Sequence, residues 1–200
     1  MEFLVTMTTN VPAGTSEDTV ADVREREAEH SRDLAAQHHL LRLWRPPLQP
    51  GEWRTLGLFA ADDAGRLEQV LASMPLRIWR SDDVTPLSPH PNDPVEHKPA
   101  ESNGSEFLTT FTLSVPADAR PDALAAATAR EADSARDLAD AGRLLRLWKL
   151  PGDGRALGLW NARDSADMEA IVESLPLNDW MVVRTTPLSP HPGDPAKRCA

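Results

Sequence analysis

Two glutamates each interrupt an otherwise apolar stripe on a predicted helix. At about 100° per residue, the first stripe consists of Val20, Val23, Glu27, Ser31 and Leu34. The second stripe consists of Leu124, Ala127, Glu131, Ala135 and Leu138. An ionised carboxylate is costly to bury, so such a group either pairs with a cation or takes a raised pKa. A glutamate with a raised pKa is suited to general base catalysis near neutral pH, and this makes Glu27 and Glu131 the candidate catalytic residues.

A structural ion pair is the alternative explanation for both glutamates. Candidate cations follow each helix: Arg42 or Arg45 for the first glutamate, and Arg146 or Lys149 for the second. Buried ion pairs also perturb pKa values without any catalytic role. The sequence alone leaves both explanations open.

The two glutamates are equivalent positions of an internal duplication. Leu40–Arg45 (LLRLWR) recurs as Leu144–Lys149 (LLRLWK), at an offset of 104 residues. After a three-residue gap the offset becomes 101, and Thr85–Pro91 returns unchanged as Thr186–Pro192. Matches in one order with one small gap indicate two homologous units of ordinary small-domain size.

The predicted boundaries follow from this duplication. We expect a first domain over residues 1–94, a linker over 95–104, a second domain over 105–195 and a tail over 196–200. The linker is polar, rich in Pro, Ser and Asn, and has no periodic apolar face, which is typical of an exposed connection.

Each unit is predicted to contain strand, helix, strand, strand, helix and strand. In the first unit, we expect strands over 2–9, 40–44, 55–60 and 78–85, and helices over 16–37 and from Asp62 or Asp63 to Ser73. This order is the ferredoxin-like α+β pattern, an antiparallel sheet with both helices on one face. Two tandem copies are expected to pack sheet to sheet as an intrachain dimeric α+β barrel.

Composition excludes several function classes. The 200-residue chain contains no tyrosine, so a phenol cannot serve as acid, base or electrophile. Its one cysteine, Cys199, rules out an intrachain disulfide and a cysteine-rich metal site. The net charge of −10 argues against binding to nucleic acid or to an anionic membrane. With no apolar run of membrane-spanning length and no basic signal-peptide region, a cytoplasmic protein is expected.

The motifs together resemble the muconolactone delta-isomerase family. The resemblance rests on the Phe3–Met7 opening, Glu27 within Arg-Glu-Ala-Glu, Leu43-Trp44-Arg45, Met74-Pro75-Leu76 followed by Trp79, and His90-Pro91. The second copy matches at Phe107, Glu131, Leu147-Trp148-Lys149, Leu175-Pro176-Leu177, Trp180 and His191-Pro192. The resemblance implies a ferredoxin-like fold that pairs through its sheets, a 1,3-proton shift in an unsaturated lactone without a cofactor, and a glutamate base at the Glu27 position.

One region departs from the family pattern. The family carries a run containing histidine, asparagine and tyrosine between the second and third strands. Here that region is Pro46–Gly57 in the first copy and Leu150–Gly158 in the second, and neither contains those residue types. The sequence therefore predicts an isomerase, or a cyclase or isomerase of specialised metabolism, that acts on a more apolar, enolisable substrate than muconolactone. A cofactor-free monooxygenase on the same fold and a non-catalytic small-molecule binding protein are the alternatives.

Further candidate substrate-binding residues come from both copies. They are Trp44, Arg45, Trp79 and His90 in the first copy, and Trp148, Lys149, Trp180 and His191 in the second. Tryptophan rings can form the wall of a pocket, although packing within the sheet is the alternative for Trp44 and Trp148. No metal site and no cofactor are predicted, the expected partner is a small molecule, and the internal pseudo-dimer is compatible with a homo-oligomer.

Overall fold

The computed structural model describes residues 1–94 and 104–198 and contains two compact units. The first unit consists of Met1–Leu87 together with the described residues from Ser189 onward. The second unit is Ser88–Leu188. This partition differs from the predicted boundaries at the end of each repeat. Each repeat ends in a proline-rich arm, residues 88–94 in the first repeat and the described residues from Ser189 onward in the second, and each arm belongs to the other unit. Most of the predicted linker, and the final residues of the predicted tail, lie outside the described residues.

The first unit contains the predicted order of elements. They are β1 (Glu2–Thr9), α1 (Glu17–Ala36), β2 (Leu40–Arg45), β3 (Arg54–Ala60), α2 (Ala64–Ser73), a 3-10 helix (Pro75–Trp79) and β4 (Arg80–Pro89, its last two residues in the second unit). All pairings are antiparallel, and the strand order is β4-β1-β3-β2. Ser189 and Pro190 extend this sheet by pairing with Arg45 and Trp44.

The second unit repeats this arrangement. Its elements are β5 (Ser105–Leu113), α3 (Pro121–Asp140), β6 (Leu144–Lys149), β7 (Arg155–Ala162), α4 (Ser165–Ser174), a 3-10 helix (Asn178–Trp180) and β8 (Met181–Pro190, its last two residues in the first unit). The strand order is β8-β5-β7-β6, again antiparallel, and Ser88 and Pro89 pair with Lys149 and Trp148. The expected mixed α/β fold with antiparallel sheets and four α-helices is confirmed.

The last strand of the first unit is the element that departs most from its predicted bounds. We expected a strand over 78–85, but it begins at Arg80 and continues to Pro89. The residues before it form the 3-10 helix Pro75–Trp79, because Pro75 favours the first turn of a helix and ends the preceding one. This short helix places the backbone N–H of Leu76 beside α1.

The α-helix ends follow from local sequence. Ser16 accepts a hydrogen bond from the Thr19 backbone N–H, and Asp63 accepts one from the Arg66 N–H, as N-caps do. At the C-terminal end of α1, His38 has a φ of 58°, and the His39 N–H donates to the Leu34 carbonyl at 2.9 Å. These two features define a Schellman motif, which stops the helix and turns the chain into β2.

Alternation along β2 decides which side chains reach the helix-covered face of the sheet. Leu43 packs into the core of the first unit with Phe3, Phe59 and Leu67. Trp44 therefore points to the opposite face, and Arg45 returns to the face that carries α1. In the part of the chain that the structure describes, no helix is both long and apolar enough to cross a membrane.

Candidate active site

A cavity of about 490 Å³ in the second unit contains Glu131 in its wall. Apolar side chains form much of the wall: Phe111, Leu144, Leu147, Trp160, Leu175 and Leu177. The Phe111 and Trp160 rings meet edge to face, with centroids 6.1 Å apart. The cavity therefore offers a largely apolar space with few polar groups, as small-molecule sites commonly do.

Glu131, in the middle of α3, lines this cavity. One of its carboxylate oxygens accepts a hydrogen bond, and the other has no hydrogen-bond donor among the described residues. Its Oε2 accepts a hydrogen bond of 3.0 Å from the Leu177 backbone N–H, at the turn that follows α4. Within residues 1–94 and 104–198, Oε1 has no hydrogen-bond donor and the carboxylate has no cationic partner. Burial raises the pKa of Glu131, and the Leu177 N–H opposes this only in part.

His90 lies in the wall of the same cavity. Its Nδ1 accepts a hydrogen bond of 3.1 Å from the Asn92 backbone N–H, so the neutral ring carries its proton on Nε2. Burial, together with the nearby Lys149 charge, lowers the pKa of His90, and Asp93 opposes this shift. The ring is therefore a neutral hydrogen-bond donor at physiological pH. Lys149 also lines this cavity.

The corresponding cavity in the first unit measures about 350 Å³ and contains Glu27. The Leu76 backbone N–H donates to Glu27 Oε2 at 2.8 Å, which matches the contact of Glu131 with Leu177. The other oxygen, Oε1, accepts a hydrogen bond from an Arg80 guanidinium nitrogen at 3.2 Å. Burial raises the pKa of Glu27, while the Leu76 N–H and the Arg80 charge both act to lower it.

Arg80 belongs to a buried ion-pair network that the sequence analysis missed. Its Nε lies 2.6 Å from Asp82 Oδ1, and both side chains are 2% exposed. Arg77 also pairs with Asp82, at 2.8 Å. Glu27 therefore forms an ion pair, but its partner is Arg80 and not Arg42 or Arg45 as the ion-pair alternative expected. In the second unit, Met181 and Val183 occupy the positions of Arg80 and Asp82, so Glu131 has no equivalent network.

Arg42, one of the two candidate partners for Glu27, instead pairs with Asp194 in the C-terminal arm, the described residues from Ser189 onward. Asp194, with a side chain 2% exposed, accepts hydrogen bonds from the Leu43 backbone N–H at 3.0 Å and from Arg42 at 3.1 Å. The Arg42 guanidinium also stacks on the Trp44 ring, 4.8 Å from its centroid. This anchor places His191, from the same arm, in the wall of the Glu27 cavity.

The second unit has the equivalent anchor, which removes Arg146 from the candidates for Glu131. Asp93 accepts from the Leu147 backbone N–H at 2.6 Å and pairs with Arg146 at 3.4 Å. Arg146 stacks on Trp148 at 4.6 Å. The proline-rich arms, residues 88–94 and the described residues from Ser189 onward, therefore hold His90 and His191 against the two cavities.

The candidate substrate-binding residues divide into two groups. Arg45 lines the Glu27 cavity, and Lys149, with His90, lines the Glu131 cavity. Trp44 and Trp148 are buried on the sheet face opposite the helices, because each follows a leucine that packs on the helix side.

Trp79 and Trp180 also lie outside both cavity walls. They are half-buried at the ends of the 3-10 helices, and their carbonyl groups accept hydrogen bonds from the Asn10 and Ser114 backbone N–H groups.

Two other tryptophans line the cavities instead. Trp53 borders the Glu27 cavity and Trp160 borders the Glu131 cavity. Trp160 is 2% exposed, and its Nε1 has no hydrogen-bond partner in the described part of the chain. The sequence signal was the lack of an equivalent tryptophan in the other copy, where Phe59 stands at the position of Trp160.

Comparisons with known proteins agree with the duplication. The family model described as muconolactone delta-isomerase matches residues 1–93 and again residues 105–194. Muconolactone Delta-isomerase 1 of Acinetobacter lwoffii is 27% identical over 92 residues, which cover 46% of this chain and 93% of that protein.

Solved structures share the fold at low sequence identity. A heme-binding protein from Thermus thermophilus aligns over 100% of this chain and 95% of its own, with a TM-score of 0.61 and 10% identity. A monooxygenase-like protein from Lactobacillus acidophilus aligns over 94% of this chain and 93% of its own, with a TM-score of 0.52 and 10% identity. Among residues 1–94 and 104–198, no group of three or more His, Cys, Asp or Glu side chains is placed to hold a metal ion. The two matched segments together span most of the sequence, and the chain belongs to the muconolactone delta-isomerase family, with two copies of the family's unit in one polypeptide.

Proposed function

We propose that the second unit catalyses a proton shift in a small, largely apolar, enolisable carbonyl compound such as an unsaturated lactone, with Glu131 as the general base. The observation that carries this proposal is the state of the Glu131 carboxylate. One oxygen is oriented by the Leu177 N–H, and the other is unbonded in an apolar cavity. The pKa raised by burial makes this group a stronger base than an exposed glutamate.

The reaction needs no second reactant. Glu131 Oε1 takes a proton from the carbon next to the carbonyl group, and the electron pair of that C–H bond moves towards the carbonyl oxygen to give a dienolate. The same carboxyl group then returns the proton to a more distant carbon, which moves the double bond. Atoms and electrons balance, and Glu131 ends the cycle ionised as it began.

Two groups in the cavity wall are suited to the charge that develops on the dienolate oxygen. His90 presents a neutral Nε2–H, and Lys149 presents an ammonium group. A preorganised donor that meets charge only in the transition state lowers the barrier without tightening substrate binding. In this role a neutral imidazole is well suited to bind the oxygen without competing with Glu131 for the proton.

The walls favour an apolar substrate. Phe111, Trp160 and six leucines line the same cavity as the carboxylate, and Lys149 and Arg155 are the lysine and arginine residues in that wall. Arg155 donates to the Pro151 carbonyl at 3.0 Å, so part of its hydrogen-bonding capacity is used within the protein. This composition supports a lactone or similar ring without a further charged group.

The test uses a lactone probe in deuterated water. α-Angelica lactone, a β,γ-unsaturated lactone, should be converted to its conjugated isomer with deuterium incorporation, followed by NMR. The Glu131→Gln variant should lose about 10²–10⁴-fold in rate while remaining folded, because Gln preserves the hydrogen bond from Leu177 but cannot take the proton. An unchanged rate in this variant would overturn the assignment of the base. Faster turnover of muconolactone than of the uncharged lactone would overturn the substrate class.

A second candidate function is cofactor-free oxygenation of an enolisable aromatic substrate. It is favoured by the two aromatic rings, Trp160 and Phe111, that line the same cavity as Glu131, since an enolate formed there could transfer an electron to dioxygen. The likeness to the monooxygenase-like and heme-binding structures is at 10% identity and supports the fold alone. Oxygen uptake that matches substrate loss would favour this function, and equal turnover without oxygen would exclude it.

A further inference from the structure

The Glu27 cavity is bordered by four arginines, and three of them have no anionic partner among the residues that the structure describes. Arg24, Arg32, Arg45 and Arg80 all line it. Arg80 is neutralised by Glu27 and Asp82. In the described part of the chain, Arg24, Arg32 and Arg45 form no ion pair with any carboxylate. The chain has 31 acidic and 21 basic residues, so three unpaired guanidinium groups around one opening are not explained by a shortage of carboxylates.

The equivalent positions in the second unit do not reproduce this cluster. Thr128 stands at the position of Arg24, and Lys149 stands at the position of Arg45. Arg136, the counterpart of Arg32, pairs with Asp133 and does not line the Glu131 cavity. Met181 replaces Arg80. The arginine cluster is therefore a property of the first unit alone.

The three arginines without a carboxylate partner among the described residues line the cavity from solvent-exposed positions. Arg24 and Arg32 are exposed and lie eight residues apart on α1, about 12 Å along the helix axis. Arg45 ends β2 and is also exposed. The Arg24 guanidinium stacks on the ring of Trp53, which also lines the cavity, at 5.4 Å from its centroid, and this contact orients the charge.

The buried part of this cavity wall combines apolar side chains with the hydroxyl groups of Thr9 and Ser31. Met7, Leu43, Met74 and Leu76 line it, and the one buried carboxylate there, Glu27, is paired with Arg80. A ligand that fits must place an apolar body inside and a negative charge at the opening. Guanidinium groups bind planar carboxylates through paired hydrogen bonds, whereas the ammonium group of a lysine acts as a point charge.

We propose that the first unit is a binding site for a small organic carboxylate with an apolar body, and that this site is separate from the reaction at Glu131. The carboxylate lies against Arg24, Arg32 and Arg45, and the body enters the 350 Å³ cavity. The two copies of one domain have therefore taken different ligands: an uncharged enolisable ring in the second unit and an organic anion in the first.

The test is isothermal titration of the full chain with three carboxylates: benzoate, phenylacetate and decanoate. At least one should bind with one site per chain, and benzamide, the neutral analogue of benzoate, should bind at least 10-fold more weakly than benzoate. A double variant, Arg24→Gln with Arg32→Gln, should weaken binding of the carboxylate at least 10-fold. Raising the salt concentration should weaken it as well, because the three guanidinium groups are exposed to solvent.

Controls locate the site and separate it from the reaction. Arg26→Gln lies on the same helix, pairs with Asp22 and does not line the cavity, so it should leave carboxylate binding within about 2-fold. Lys149→Gln should also leave binding intact. Failure of all three carboxylates to bind, binding lost in the Lys149 variant, or inorganic phosphate binding as tightly as the best carboxylate would each overturn the proposal. None of these outcomes depends on whether Glu131 is a base.

Discussion

Glu27 and Glu131 occupy the same position in two copies of one domain, yet their second carboxylate oxygens have different environments. Each accepts a backbone N–H from the turn after the second helix, at 2.8 Å and 3.0 Å. Glu27 then meets Arg80, whereas Glu131 meets an apolar wall. Two sequence differences between the copies, Arg80 against Met181 and Asp82 against Val183, therefore separate a glutamate that is paired with an arginine from one that is not paired within the described residues.

The raised pKa of Glu131 makes a stability prediction. Because the folded state binds this proton more tightly than the unfolded chain does, wild-type stability falls as the pH rises from the unfolded pKa through the raised folded pKa. Glu131→Gln removes that penalty and keeps the acceptor for the Leu177 N–H. The variant should therefore have a higher Tm than the wild type at pH 7.5.

The difference in Tm should shrink at acidic pH and vanish where Glu131 is protonated in both states. Thermal unfolding of the two proteins at matched pH values measures it. A variant that is less stable than the wild type at pH 7.5 would show that the ionised carboxylate is compensated by a contact absent from this account.

A second prediction concerns the role of the His90 side chain in turnover. His90→Phe removes the Nε2–H of a residue that lines the cavity, and the turnover rate of the lactone probe should fall by about 10²-fold with a smaller change in KM. His90→Asn, which retains N–H donors, should recover part of that loss. Equal rates for the Phe and Asn variants would show that His90 serves only to pack the arm.

The equivalent helices α1 and α3 both end in a Schellman motif, and different residues occupy its left-handed position. His38 has a φ of 58°, and Gly142 has a φ of 68°. In both motifs the following N–H donates to a carbonyl in the last turn, from His39 to Leu34 and from Arg143 to Leu138. A left-handed backbone is costly for a residue with a side chain and not for glycine.

His38→Gly should therefore stabilise the protein by about 1 kcal/mol, or about 2–4 °C in Tm for a chain of this length. The reverse change in the second unit, Gly142→Ala, should destabilise it by a similar amount. Differential scanning calorimetry of both variants measures the two effects. A destabilising His38→Gly would mean that the imidazole makes a contact worth more than the backbone strain.

Much of the fold could be predicted from the sequence because the signals are local. The apolar alternation of β1, the Asp63 cap and the stripe that contains Glu27 each define an element or a face without tertiary information. No local signal in the sequence indicated the register irregularity between Leu40 and Arg42 in β2. Beyond that irregularity, side chains alternate from Leu43 onward, so Trp44 lies on the sheet face opposite Glu27.

Parts of the site depended on tertiary contacts and could not be predicted. Arg80 lies 53 residues from Glu27 in the sequence, and the repeat comparison favoured cations shared by both copies. The proline-rich arms are identical from Thr85 to Pro91 and from Thr186 to Pro192, so the sequence did not indicate which sheet each arm joins. Only the folded chain shows that Asp93 and Asp194 bond to Leu147 and Leu43.

At the scale of the whole molecule, each compact unit includes an arm from the other repeat. The described residues from Ser189 onward complete the first unit, and Asp194 anchors them through the Leu43 N–H and Arg42. Ser88 to Pro94 play the same part in the second unit, with Asp93 as the anchor. His90 and His191 belong to these arms, so each cavity would lose its histidine without them.

Asp194→Ala should destabilise the protein by about 2–3 kcal/mol, since it leaves the buried Leu43 N–H without an acceptor and Arg42 without its carboxylate. Asp194→Asn, which keeps an acceptor for that N–H, should cost less. Urea unfolding measures both changes. A cost below about 0.5 kcal/mol for the alanine variant would show that the arm is not an integral part of the first unit.

We propose that the duplicated glutamates have different roles, with Glu131 as the base. The most direct measurement compares Glu131→Gln with Glu27→Gln in the same assay, deuterium incorporation into α-angelica lactone at neutral pH, with both variants shown to be folded. We predict that Glu131→Gln lowers the exchange rate by about 10²–10⁴-fold and that Glu27→Gln leaves it within about 3-fold of the wild type. Loss of exchange in Glu27→Gln with retention in Glu131→Gln would contradict the account.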